Sequence, residues 1–319
     1  MAAERKPDPN SHKIMAPADN NLGVQSENKQ HAKGGNPDVG PTRGAAAEAN
    51  WGSAFRVAAS DKWRSQSAAM GRGVTDAICQ FAAPRPGMRV LDLASGTGEP
   101  AISLASAVGP TGRVVGIDVS DDLLEIARGR ARQRRFDNVE FRRADAHCLP
   151  FPTEQFDLVT SRCGVMFFAD IQKAFLEARR VLKPQGRVAF LVWGPFQQPY
   201  FENTIGVLLN HVAEPQYDPS QLDVFSFARP GSLSVALNSA GFRNVHEETR
   251  TVPWIWPGTP EELWQYFCQV SAPFQSLIAS VPESKIRTVD DAVHSALAQF
   301  HDGERVKLTA TVVLAGAEK

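Results

Sequence analysis

Val90-Leu91-Asp92-Leu93-Ala94-Ser95-Gly96-Thr97-Gly98-Glu99-Pro100 is the stretch that decides the fold. Aliphatic residues dominate its first four positions, and a helix-like PAISLASAV (100–108) closes it. A strand that passes through a glycine-containing turn into a helix opens a βαβ unit. The chain must turn tightly there, and a ligand must come close to its backbone. Gly96 and Gly98 permit both. The N-terminus of the next helix then offers unpaired N–H groups.

Working outward, short apolar runs alternate with helical ones. MRVLDLA (88–94), RVVGIDV (113–119), NVEFRRAD (138–145), QFDLVTS (155–161) and RVAFLVW (187–193) read as strands. DDLLEIARGRARQ (121–133) and IQKAFLEARRVL (171–182) read as helices between them, the second stopped by KPQG. Ile171, Ala174, Phe175, Ala178, Val181 and Leu182 form one apolar stripe along it. This spacing predicts a Rossmann-like α/β fold with a mostly parallel sheet. Upstream, residues 50–82 read as helical, ended by Pro84 and Pro86. Downstream, 197–213, LSVALNSAGF (233–242, with Gly241 as its cap) and 260–300 read as helices. RNVHEETRTV (243–252) and VKLTATVVLAG (306–316) read as strands. Residues 1–48 hold no aromatic residue and only four large aliphatics, so a disordered tail is expected there.

Two ligand classes fit the first loop. Gly96-x-Gly98-x-x-Ala101 satisfies the dinucleotide fingerprint, and acidic Asp118 lies about twenty positions on. Asp92 separates them. Beside a pyrophosphate its carboxylate meets a like charge. Beside S-adenosylmethionine it meets an ammonium and a sulfonium, and Coulomb attraction favours that partner. Asp118, ending the second strand, can accept from ribose hydroxyls, and Ser120 is the better cap for the helix that follows. Asp145, ending the third strand, can accept from an adenine amino group; its plainer reading is a turn aspartate.

VLDLASGTGEPA (90–101), VVGIDVS (114–120), RADAHCLPF (143–151), FDLVTSRCGVMFF (156–168) and VLKPQGRVAF (181–190) together resemble class I S-adenosylmethionine-dependent methyltransferases of the ubiquinone/menaquinone-biosynthesis (methyltransferase type 11) group. The resemblance spans about 88–195, and more loosely 51–63 and PEELWQYF (260–267). It implies a seven-stranded sheet ending in an antiparallel hairpin, with helical residues 253–300 inserted between its strands and helices covering the ligand end. It implies that Asp92, Ala94, Gly96 and Gly98 hold the methionine end of the cofactor. Asp118 would hold the ribose, Val119 would pack on adenine, and Asp145 and Ala146 would read the adenine edge. Ser161 and Arg162 would line the methionine and substrate side. Ala94 departs from the group, which often has glycine there; alanine is tolerable if its φ is negative. KPQG replaces the commoner KPGG, which bears on a turn and not on the site.

The expected domain plan is a tail (1–48) and one methyltransferase domain (49–319): a helical lid over 49–87, a cofactor core over 88–195, and substrate-covering helices with closing strands over 196–319. The aromatic residues Phe196, Tyr200, Phe201, Trp254, Trp256, Trp264 and Phe267 suggest an apolar acceptor pocket, though core packing explains each one singly. Methyl transfer from a sulfonium needs alignment more than a protein nucleophile, so no catalytic residue is assigned. His147, His211 and His246 are candidate bases by type only. The alternatives are an NAD(P)-dependent oxidoreductase and a non-catalytic cofactor-binding protein.

The formal net charge of −1 offers no whole-chain field toward nucleic acid. The arginine run from Arg128 to Arg143 reads as a solvated helix face, because acidic Asp121, Asp122 and Glu125 precede it. Cys79, Cys148, Cys163 and Cys268 lie far apart in sequence, so no metal site and no disulfide framework is expected, and the thiols read as reduced and cytoplasmic. A pocket for a soft substrate built from Cys148 and Cys163 is a minor possibility. No apolar run is long enough to span a bilayer, and the first residues lack the apolar core of a signal peptide. The partner is therefore expected to be a small-molecule methyl acceptor.

Overall fold

The computed structural model describes residues 54–212 and 222–319; the expected tail (1–48) and Trp51 lie outside them. Three helices come first: α1 (Ala54–Lys62), α2 (Arg64–Met70) and α3 (Arg72–Ala82). The single helical region expected over 50–82 is thus broken at Trp63 and at Gly71. Then follow β1 (Arg89–Leu93), α4 (Ala101–Val108), β2 (Arg113–Asp118), α5 (Asp121–Gln133), β3 (Val139–Arg143), β4 (Phe156–Arg162), α6 (Ile171–Val181) and β5 (Leu182–Trp193).

Local chemistry sets these boundaries. Ser120 sits in extended backbone and its hydroxyl accepts from the Leu123 N–H, starting α5 above two acidic residues. Asp170 caps α6 in the same way through Lys173 N–H. KPQG does not form a separate turn after α6: the helix ends at Val181 and Leu182–Gly186 already belong to β5.

The second half is α7 (Pro199–Phe201), a π-helical turn (Glu202–Gly206), α8 (Val207–Val212), α9 (Ser232–Ser239), β6 (Arg243–Trp256), α10 (Pro260–Val270), α11 (Gln275–Ala279), α12 (Glu283–Ala298) and β7 (Val306–Glu318). Thr259 and Glu262 form a reciprocal capping box at the start of α10, with Pro260 in its first turn. The helical insertion is shorter than expected, because residues 253–256 continue β6. Pro253 is tolerated there: β6 is the edge strand, so one side of it needs no ladder donors.

The seven strands form one sheet in the order β3-β2-β1-β4-β5-β7-β6. β1 to β5 are parallel, and β7 runs antiparallel between β5 and β6. One face packs Val90, Val114, Leu158 and Ala189 against Ile102, Leu104, Leu124 and Ala127 of α4 and α5. The other face carries the larger core, which runs on into the aromatic residues of the second half. No helix among the described residues is long and apolar enough to cross a membrane.

Candidate active site

The carboxyl ends of β1, β2, β4 and β5 open into a cavity of about 1110 Å³. Ligands bind at this edge in open parallel sheets, because the loops there diverge on either side of the strand where the order reverses. The wall has two ends. Ala94–Thr97, Glu99, Asp118, Val119 and Ala144–His147 form a polar end. Phe167, Phe168, Trp193, Tyr200, Phe201, Trp254, Tyr266, Phe267 and Phe274 form an aromatic end.

At the polar end, the Asp118 carboxylate accepts from Gly96 N–H (2.9 Å) and Ser120 N–H (3.0 Å). It thereby ties the β1 and β2 loops together and keeps spare lone pairs for a further donor. Val119 follows it with 57% of its surface exposed, an apolar side chain left open beside the cavity. Gly96 has φ +50, and a Cβ there would meet nothing within 4 Å, so the space above it is open. Asp145 Oδ1 accepts from the His147 backbone N–H (2.9 Å) and pairs with His147 Nδ1 (2.6 Å). His147 Nε2 faces the Asp170 N–H at 3.2 Å. Each ring nitrogen thus has a polar partner. Histidine 147 therefore holds Asp145 in place and is spoken for at both nitrogens. His211 lies on α8 and His246 packs on the Phe81 ring; neither lines the cavity.

Asp92 does not reach the cavity surface. It is fully buried at the β1/β4 register pair Asp92–Thr160, where Thr160 Oγ1 donates to Oδ1 (2.8 Å) and Oδ2 has no partner. Burial pushes its carboxyl up to about 7, against the Thr160 hydrogen bond. Three more expectations change. Ala94 adopts φ +53, not a negative value, so an L-residue occupies the left-handed region where the group often has glycine. Gly98 is also off the cavity wall. At φ +111 its missing Cβ would lie 2.7 Å from Ile102 Cδ1 and 3.3 Å from Ala127 Cβ, so this glycine lets α4 and α5 approach. Ser161 is fully buried and donates to the Leu93 carbonyl (2.9 Å), joining β4 to β1 behind the wall. Ala146 and Arg162 do line it.

The aromatic end holds four of the seven expected residues. Tyr200, Phe201, Trp254 and Phe267 are there; Phe196, Trp256 and Trp264 pack elsewhere, with Trp264 Nε1 donating to Asp290 (2.7 Å). Trp193 was missed, although it ends β5 at the ligand edge; it meets Trp254 edge-on at 5.1 Å and Phe201 at 5.2 Å. The solvated-face reading of the arginine run also needs correction. Arg128 and Arg132 do pair with Glu125, and Arg134 with Glu99. Arg130 instead turns into the cavity wall and donates to the Thr97 carbonyl and hydroxyl. Cys163 lines the cavity, while Cys148 is exposed and does not. Among the described residues no cluster of three metal-ligating side chains exists.

Strand order now separates the two ligand classes. A dinucleotide fold of this kind would end in parallel β6, whereas here antiparallel β7 lies between β5 and β6. The polar end brings together a shared carboxylate, an open glycine and an exposed valine. A methyltransferase domain model matches residues 84–193. The demethylmenaquinone methyltransferase of Staphylococcus aureus is 34% identical over 177 residues, covering 52% of this chain and 73% of that protein. Among solved structures, the YcgJ protein from Bacillus subtilis is 20% identical, with 77% of this chain and 97% of that one covered at a TM-score of 0.47. A SAM-dependent methyltransferase from Aquifex aeolicus is 21% identical, with 60% and 90% covered at 0.46. The chain belongs to the class I S-adenosylmethionine-dependent methyltransferases. S-adenosylmethionine is its cofactor and methyl transfer its activity.

Proposed function

We propose that the protein methylates a small, hydrophobic or aromatic molecule, seated at the aromatic end of the cavity against the methyl group presented from the polar end. The observation that carries this reading is the continuity of the two ends in a single cavity. At the polar end, the residues fit the cofactor. The open space over Gly96 admits a ligand to the backbone. Asp118 offers lone pairs to ribose hydroxyls, and Val119 offers an apolar face to adenine. Asp145 keeps Oδ2 for the adenine amino group while His147 occupies Oδ1, with Ala146 beside it. Ala94 faces the methionine side, and Arg162 lies between that side and the aromatic end. Asp92, Gly98 and Ser161 act from behind the wall: Asp92 through its charge, the other two by shaping the loop.

When bound, the cofactor supplies an electrophilic methyl carbon on a sulfonium. The chain's part is to orient the acceptor in line with it and to exclude water. Trp193, Tyr200 and Trp254 do so with flat apolar surfaces. α1–α3 and α7–α12 act as the cover: α1 packs on α10, and the Trp63 indole donates to Gln269 (2.9 Å). A small-molecule partner, no nucleic acid, and a cytoplasmic location belong to the same reading, supported by the ion-paired arginines of α5 and four unpaired thiols.

The test is release of S-adenosylhomocysteine from S-adenosylmethionine with a panel of phenolic, polycyclic and aliphatic acceptors. Turnover confined to aromatic or apolar members supports the reading. Turnover only with polar amines or amino acids sinks it.

A further inference from the structure

Arg162 is a cation without an anion. Its Nη1 donates to the Thr75 hydroxyl at 3.0 Å, and its Nε is buried with no partner. No carboxylate pairs with it among the described residues. Asp92 feels its charge, but that carboxyl is tied to Thr160 and raised by burial to about 7, so it compensates the guanidinium only in part near neutral pH. A half-buried charge with one neutral partner is poorly compensated.

Its location gives the missing charge a source. The Cβ that Gly164 lacks would lie 2.7 Å from Ala94 Cβ, so the turn after β4 rests on the cofactor loop. On the other side, Arg162 Nη1 is 3.3 Å from the Cβ position of Gly71, and Gly73 abuts the Pro253 carbonyl, next to Trp254. The guanidinium therefore stands at the seam between the nucleoside end and the aromatic end. Several candidate bases on the wall are already engaged. Its histidine is engaged at both nitrogens, its Cys163 thiol is pushed up to about 11 by burial, and Glu99 is held by Ser103 and Arg134. Asp76, on α3, is an exposed carboxylate at the rim of the same cavity.

We propose that Arg162 selects the acceptor: it binds the negative charge of an apolar aromatic molecule carrying an ionised hydroxyl group. This rests on the aromatic-acceptor reading above. The hydroxyl loses its proton to water before or on entry, because the cation at the seam favours the oxyanion. The acceptor's electron pair then forms the new bond to the methyl carbon. The carbon–sulfur bond breaks, and its pair stays on sulfur as a neutral thioether. The oxyanion and sulfonium charges cancel, and the neutral product loses its hold on Arg162 and can leave.

The test uses the whole chain with S-adenosylhomocysteine bound at about pH 8, and tryptophan fluorescence as the readout. Two probes of similar shape are compared: 4-nitro-1-naphthol, ionised at that pH, and 1-methyl-4-nitronaphthalene, which is neutral. The wild type is expected to bind the naphtholate about tenfold more tightly, as for one close charge pair. Arg162→Met should abolish that preference and leave the neutral probe unchanged. Arg162→Lys, which keeps a cation, should retain part of it. S-adenosylmethionine affinity, measured by calorimetry, should survive both changes. A wild type without preference overturns the proposal whether or not any variant folds, and so does a preference that survives Arg162→Met. Loss of S-adenosylmethionine binding in Arg162→Met, with decarboxylated S-adenosylmethionine bound as before, overturns it too and assigns Arg162 to the cofactor's carboxylate. If neither naphthalene binds, the aromatic-acceptor reading fails and this one with it.

Discussion

Asp92→Asn is the perturbation that tests the buried end of the site most directly. Asp92 is fully buried, and its carboxyl rises from 3.8 to about 7, chiefly by desolvation. Each pH unit of such a rise is worth about 1.4 kcal/mol, so the whole is about 4 kcal/mol. The sign follows from proton counting. Between pH 3.8 and about 7 the native carboxyl holds a proton that the unfolded chain has released. Stability therefore falls as pH rises through that window and is flat above it. Asparagine cannot ionise, so the slope disappears in the variant. It keeps an acceptor for Thr160 but places an amide N–H where Oδ2 has no partner, at a pH-independent cost of about 1–3 kcal/mol. The variant is thus expected to be less stable than the wild type at about pH 4 and more stable at about pH 8, the difference changing by about 4 kcal/mol. Urea denaturation followed by tryptophan fluorescence reads it, and every other titrating group cancels in the comparison. The cofactor adds a second readout. A bound cation favours the ionised carboxyl, so wild-type affinity for S-adenosylmethionine should rise with pH up to about 7 and that of Asp92→Asn should not. Parallel stability curves for the two proteins would refute the reasoning.

The two loop glycines should separate cleanly. Gly98→Ala, pressed at 2.7 Å against Ile102, is expected to cost about 2–4 kcal/mol in denaturant stability. Gly96→Ala, with open space above it, should cost about 1 kcal/mol and instead weaken S-adenosylmethionine binding in calorimetry. Ala94→Gly, relieving φ +53, should raise stability by about 0.5–1 kcal/mol; a loss of stability would mean that the left-handed backbone there is not under strain. His147→Ala should weaken cofactor binding through the freed Asp145 while leaving the shape of the activity–pH profile unchanged, since both ring nitrogens are already engaged. A lost inflection near neutral pH would instead make His147 a base. Trp254→Ala should raise the acceptor KM with little effect on cofactor affinity, measured side by side.

Much of the first half was legible from sequence, because there the decisive signals are local. Val90–Pro100, Val115–Ser120 and Ala144–Ala146 lie within a few residues of strand ends, and a strand end in a parallel sheet has only one place to put its loop. Ser120 as a cap and the stripe of α6 are equally local. Side-chain direction was not legible. Asp92, Gly98 and Ser161 carry the right letters at the right positions, yet face the packed interior, because alternation along a strand and contact with α4, α5 or the neighbouring strand decide which way each points. The same holds for Arg130, which leaves its solvated helix to hold Thr97.

The sequence by itself determined the alternation of strands and helices, the glycine-containing turn after β1 and the expectation of a cationic ligand. These follow from propensity, glycine geometry and one carboxylate. Tertiary structure decided the rest. It carried β6 through Pro253, which an edge strand alone tolerates. It brought Trp254 of β6 against Trp193 and Tyr200, from a distant part of the chain, into one wall. It left Arg162 unpaired between the two ends of the cavity. Such features depend on which surfaces meet after folding, and no local pattern encodes a meeting between residues sixty or more positions apart.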